Sequence, residues 1–106
     1  MISHGYKTVT TAGTAVPLSA TSQKISFITI YPRIVSGVSN TGQVRIGGLP
    51  LSGDSGAIPS GKGIPLNPGD AAVVWPLGAT ISTDLSTVYV DADNNGDGVQ
   101  FVWGAL

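Results

Sequence analysis

Glutamate and cysteine are absent from this 106-residue chain, and charged side chains of either sign make up only 10% of it. Each absence excludes something. Without cysteine there is no disulfide, no thiolate nucleophile and no thiolate metal ligand; the chain gives no clue to a redox compartment, and its stability rests on burial. Surface helices usually carry glutamate and lysine on their wet side, so a chain with no glutamate and three lysines has little material for them. The fold class this implies is all-β. Five basic residues and a net charge of −1 give no electrostatic footprint for a phosphate backbone, which argues against nucleic acid as a partner. No apolar run approaches the roughly 20 residues of a membrane helix, and the first residues lack the basic and apolar regions of a secretory signal. Synthesis in the cytosol and no membrane partner are therefore expected.

What is present is punctuation. Gly and Pro together number 22, yet 42% of the chain is hydrophobic, which separates it from disordered sequences. Short β-branched runs alternate with turn-forming clusters. Strands are predicted at Tyr6 to Thr10, Thr14 to Leu18, Ile25 to Pro32, Gln43 to Gly47, Gly63 to Leu66, Ala71 to Pro76, Thr87 to Asp91 and Val99 to Trp103, with Ile81 to Leu85 ambiguous. In the strongest, alternation puts Ile25, Phe27, Thr29 and Tyr31 on one face and Ser26, Ile28 and Ile30 on the other. Both faces are largely apolar, so this strand is expected to be buried on both sides or to meet a partner subunit. Asn67-Pro68-Gly69-Asp70 reads as a type II turn. Leu49 to Lys62, rich in Gly, Pro and Ser, reads as a long and adaptable surface connection. Roughly eight strands at about ten-residue spacing predict one antiparallel β-sandwich domain over residues 1–106, of jelly-roll type, with a short N-terminal arm at about 1–6. So little surface charge on a small β protein favours self-association.

Proton-transfer chemistry finds few tools here. His4 is the sole imidazole and lies near the amino terminus, where chains are loosely held, while Asp54, Asp70 and Asp84 fall in loops or at strand ends, where aspartate commonly binds backbone amides. The expectation is a protein that is not an enzyme and has no catalytic residue, cofactor or metal. The segment Asp91-Ala92-Asp93-Asn94-Asn95-Gly96-Asp97-Gly98 matches the first half of a calcium loop, with Asp91, Asp93, Asn95 and Asp97 as oxygen ligands, but the twelfth position is Val102 and no helices flank it. A structural turn is the expectation there, with a weak calcium site as its alternative. The aromatic residues Tyr6, Phe27, Tyr31, Trp75, Tyr89, Phe101 and Trp103 are expected mostly in the core.

The run from Tyr6 to Ile30, YKTVTTAGTAVPLSATSQKISFITI, resembles small structural proteins of tailed bacteriophages. The likeness is carried by T-x-A-G-T-A-V-x-L-x-A at Thr10 to Ala20, N-T-G-x-V-x-I-G at Asn40 to Gly47, L-x-P-G-[DE] at Leu66 to Asp70 and V-Y-V-D-A-x-x-x-G-D-G-V at Val88 to Val99. The long Leu49 to Lys62 insertion departs from the pattern. The resemblance implies a virion component made in the host cytoplasm, a capsid decoration (cement) protein bound to the outer capsid surface as a homotrimer and contacting the major capsid protein. The alternative it leaves open is a head-fibre or tail module that binds host surface glycans. On this reading Phe27, Ile28, Ile30, Phe101 and Trp103 are candidates for oligomer contacts, and Ile2, His4, Tyr6, Leu49, Leu51, Ile58 and Lys62 for capsid contacts.

Overall fold

A computed structural model describes residues 1–34, 39–71, 73–76 and 83–105, with the side chains of 73–76 and 83 outside the description. The strands are β1 (Ile2–Thr8), β2 (Val16–Pro17), β3 (Lys24–Pro32), β4 (Val44–Gly47), β5 (Ile64–Leu66), β6 (Val73–Pro76), β7 (Thr83–Asp84), β8 (Tyr89–Ala92) and β9 (Gly98–Ala105); one 3-10 turn, Leu85–Thr87, precedes β8. The protein is all-β. Every pairing between the strands is antiparallel, and two sheets result. A five-stranded sheet runs β1-β9-β3-β6, with β7 also on β3, and a four-stranded sheet runs β2-β8-β4-β5. Among the described residues no helix is long and apolar enough to cross a membrane.

One hydrophobic cluster lies between the sheets. It draws Ile25, Ile28, Ile30, Val99 and Phe101 from the five-stranded sheet and Val44, Ile46, Leu66, Val90 and Ala92 from the four-stranded one. The alternation expected for β3 changes phase: the register against β9 shifts between Ile25 and Phe27, so Ile25 joins Ile28 and Ile30 on the buried face while Phe27 and Tyr31 turn to the other. Ile28, Ile30 and Phe101 were expected at a subunit interface, and that expectation is corrected here because they fill this subunit's own core, at most 5% exposed.

The segment expected to be a loose arm is instead a strand. β1 pairs with β9 from Ile2 opposite Gly104 to Thr8 opposite Gly98, which fixes His4 opposite Val102. The turn at Asn67 to Asp70 forms as its residues require: the Asp70 N–H donates to the Asn67 carbonyl at 3.0 Å and Gly69 has φ of +84°. Ile81, in the ambiguous stretch, lies outside the described residues, whereas Leu85 caps the core from the 3-10 turn.

Candidate interaction surface

The site is best built from the outer faces of the two sheets, since the inner faces are spent on each other. On the four-stranded sheet a charged pair stands at the centre of the outer face. Arg45 of β4 stands opposite Asp91 of β8, and both are buried, with Asp91 at 0% exposure and Arg45 at 4%. A long loop covers them. The Ile58 N–H donates to Asp91 Oδ2 at 2.9 Å, and Arg45 Nε donates to the Ile58 carbonyl at 2.6 Å. The other oxygen of Asp91 accepts from the N–H groups of Gly13 and Ala92, and Arg45 Nη1 makes an ion pair with Asp93 at 2.7 Å. A buried carboxylate tolerates burial when several amide donors satisfy it, which is the case here.

The aspartate-rich segment is therefore a clasp. Asp97 accepts from the N–H groups of Thr41 and Gly42, and Asn95 Oδ1 accepts from Ala12 N–H. Asp91, Asp93, Asn95 and Asp97 reach three separate stretches of chain, at Ala12 and Gly13, Thr41 to Arg45, and Ile58, and among the described residues no cluster of acidic or imidazole groups is gathered that could hold a metal ion. The Leu49 to Lys62 connection follows the same logic. Ile58, expected as a capsid contact, is corrected to a buried anchor whose backbone is gripped on both sides. Leu49 and Leu51 stay exposed beside a cleft of about 260 Å³, and Lys62 closes its rim through an ion pair with Asp54 at 2.9 Å.

The outer face of the five-stranded sheet is the reverse. Cross-strand register places three rows on it: Ile2, Gly104 and Phe27; His4, Val102 and Thr29; Tyr6, Gln100 and Tyr31. Ile2 is 71% exposed and Tyr6 69%, with Tyr31 and Val102 also open to solvent and Ile34 beside them. No loop among the described residues covers these side chains. Phe27 is half-buried because its ring lies over Gly104, where a Cβ would come within 2.2 Å of it. The Arg33 guanidinium reaches across to β1, 5.5 Å from the centre of the Tyr6 ring, and Nη1 donates to Thr8 Oγ1 at 3.0 Å.

Of the residues expected at interfaces, this face unites Ile2, His4, Tyr6 and Phe27. Leu49, Leu51 and Lys62 lie apart from it on the loop over the other sheet, and Trp103 packs inward against the core. Tyr31, Val102 and Ile34 had not been singled out as contacts, although the two-sided apolar pattern of β3 was the signal for such a face. Searches against protein-family models, curated proteins and solved structures find no match to this chain.

Proposed function

We propose that this chain is a non-enzymatic adhesive subunit, a decoration (cement) protein that sits on the outer surface of a phage capsid as an oligomer, most simply a trimer. The observation that carries the reading is the uncovered apolar face formed by Ile2, Tyr6, Tyr31 and Val102, with half-buried Phe27 at its margin. Large apolar side chains left open together on one sheet face mark a place where another protein belongs. The phage-like turn motifs at Thr10 to Ala20 and Val88 to Val99 supply the class of partner.

The same proposal takes the fold to be of jelly-roll type. What supports it is strand order: if β6 and β7 count as one edge strand, eight strands form two sheets of four, and the chain passes between sheets at each step except from β4 to β5. The rigidity of such a frame suits a brace.

Magnitudes favour an oligomer. Covering the exposed side chains of this face removes on the order of 300 Å² of apolar surface, about 7 kcal/mol in gross terms. Association itself costs roughly 4–15 kcal/mol, so a single subunit would hold only weakly. Several subunits joined in one body bind with a high effective concentration and offset that cost. A subunit spanning neighbouring capsid proteins would then stabilise the shell by mass action. The test is addition of purified protein to phage shells stripped of decoration. The reading expects saturable binding, a raised rupture temperature and loss of both on changing Tyr6 and Tyr31 to Ser. Binding to host polysaccharide with no uptake by shells would overturn it in favour of a glycan-binding module.

A further inference from the structure

Among the described residues the two sheets have four edges, and three of them carry proline. β2 ends in Pro17, β5 contains Pro65 and β6 ends in Pro76. Proline removes a backbone donor and blunts an edge against further pairing. The fourth edge, β1, is seven residues long and has no proline.

The free hydrogen-bonding groups of that edge follow from register. Ala105 N–H donates to the Met1 carbonyl and Val9 N–H to the Asp97 carbonyl, so odd-numbered residues of this stretch bond to β9. Ile2, His4 and Tyr6 therefore turn their backbone N–H and C=O groups away from the sheet. Among the described residues none of these groups has a partner. β1 and its neighbour β9 contain no aspartate, and the Arg33 guanidinium reaches β1 at Tyr6 and Thr8.

We propose that the β1 edge is a strand-addition site for an extended acidic segment of another protein, paired through the backbone of Ile2, His4 and Tyr6 with its carboxylates on the outer face, toward Arg33. A second copy of this chain is the poorer occupant: edge-to-edge pairing about His4 would set His4 against His4 and bring no carboxylate to the rim. An acidic strand supplies both the missing ladder and the missing charge. The inference rests on the adhesive reading above and specifies the chemistry of the partner.

The experiment uses the full chain and two short synthetic peptides, one alternating aspartate with valine and threonine, the other with lysine in place of aspartate. Binding is followed by titration calorimetry and by amide hydrogen exchange. The acidic peptide is expected to bind, to protect the amides of Ile2, His4 and Tyr6, and to weaken as salt is raised, while the lysine peptide does not bind. His4→Pro removes one outward donor without touching the β9 ladder, and it should weaken binding by about tenfold or more at an unchanged melting temperature. Should His4→Pro fail to fold, Arg33→Gln serves instead, with a loss of severalfold and a shallower salt dependence. Equal binding of both peptides, or no protection at Ile2, His4 and Tyr6, would overturn the proposal. So would a dimer in analytical ultracentrifugation that His4→Pro abolishes while no peptide binds. Shells that take up His4→Pro as well as the parent would overturn the edge site alone; peptide binding without shell uptake would overturn the capsid reading alone.

Discussion

The two sheets present their backs to solvent in opposite ways. Behind the four-stranded sheet the central outward pair, Arg45 and Asp91, is charged, and a loop lies over it with Ile58 wedged between the two. Behind the five-stranded sheet isoleucine, tyrosine and valine stand open to solvent among His4, Thr29 and Gln100, and nothing among the described residues lies over them. The difference teaches something about which surfaces a small chain finishes by itself. A charged pair on a sheet can be satisfied by backbone groups that the chain already owns, and once satisfied it locks the loop in place. An apolar face gains nothing specific from a polar glycine-rich loop. It is completed by another molecule or left open.

If this contrast is right, substitutions behind the two sheets must fail differently. The largest effect belongs to Asp91→Ala. It strands the N–H groups of Gly13, Ile58 and Ala92, all of which donate to this carboxylate. Two of the three, Ile58 and Ala92, are buried, and unsatisfied buried donors cost roughly 1–3 kcal/mol each, so a loss of about 3 kcal/mol is expected in urea unfolding. An unaltered midpoint would mean that the clasp is ornamental.

Arg45→Met comes next. Breaking a fully buried ion pair costs about 3–5 kcal/mol. Here Asp93 is half exposed and keeps its water, and the main loss is the donor to the Ile58 carbonyl, so about 2 kcal/mol is the expectation. The cleft beside Leu49 should loosen in parallel, read as faster amide exchange at Ile58 than at Ile28. Uniform acceleration across both sheets would show that the loop is not a separate unit.

On the bare face the sign of the comparison reverses. Tyr6→Ser with Val102→Thr should change unfolding by no more than about 0.5 kcal/mol, as surface substitutions usually do. Assembly on shells or into oligomers should nonetheless weaken by about 2 kcal/mol, the scale of an anchoring contact. If stability falls as far as it does for Arg45→Met, the face is part of the fold and the contrast collapses.

How much of this was legible beforehand varies with the range of the interaction. The antiparallel sheets, the long strand at β3 and the turn at Asn67 to Asp70 follow from local pattern, because β-branched alternation and a Pro-Gly pair act over a few residues. Apolar residues on both sides of β3 also signalled a face wanting a partner. Alternation separated Phe27 and Tyr31 from Ile28 and Ile30 but did not say which set faces inward, and the irregularity after Ile25, which moves Ile25 to the buried set, has no local signal. Residues up to about Tyr6 read as an arm, and the strand only from Tyr6 onward, because the partner that extends it to Ile2, β9, lies at the far end of the chain. The aspartate-rich segment drew notice for its spacing, yet its role is set by Gly13, Thr41 and Ile58, tens of residues away. Ile58 itself, one isoleucine among glycines, serines and prolines, is conspicuous only once Asp91 is known to be buried.

The smallest effect concerns the corner where β7 meets β3. The Asp84 carboxylate is held well below its ordinary value of 3.8, first by the Ser22 hydroxyl, then by the hydroxyl and N–H of Ser86 and the N–H of Gln23. A folded-state pKa below the unfolded one means that the ionised form supports the fold. That contribution is whole above pH 4 and disappears as acid carries the group down through its lowered pKa. The side chain is only partly buried, so solvent screens most of the gain. Asp84→Asn should therefore be slightly less stable than the parent at pH 7 and should converge with it as pH falls below 4, measured by urea unfolding at each pH. Parallel curves with no convergence would show that the corner is held by the Leu85 N–H to Gln23 carbonyl bond alone, and that its carboxylate takes no part in joining one sheet to the other.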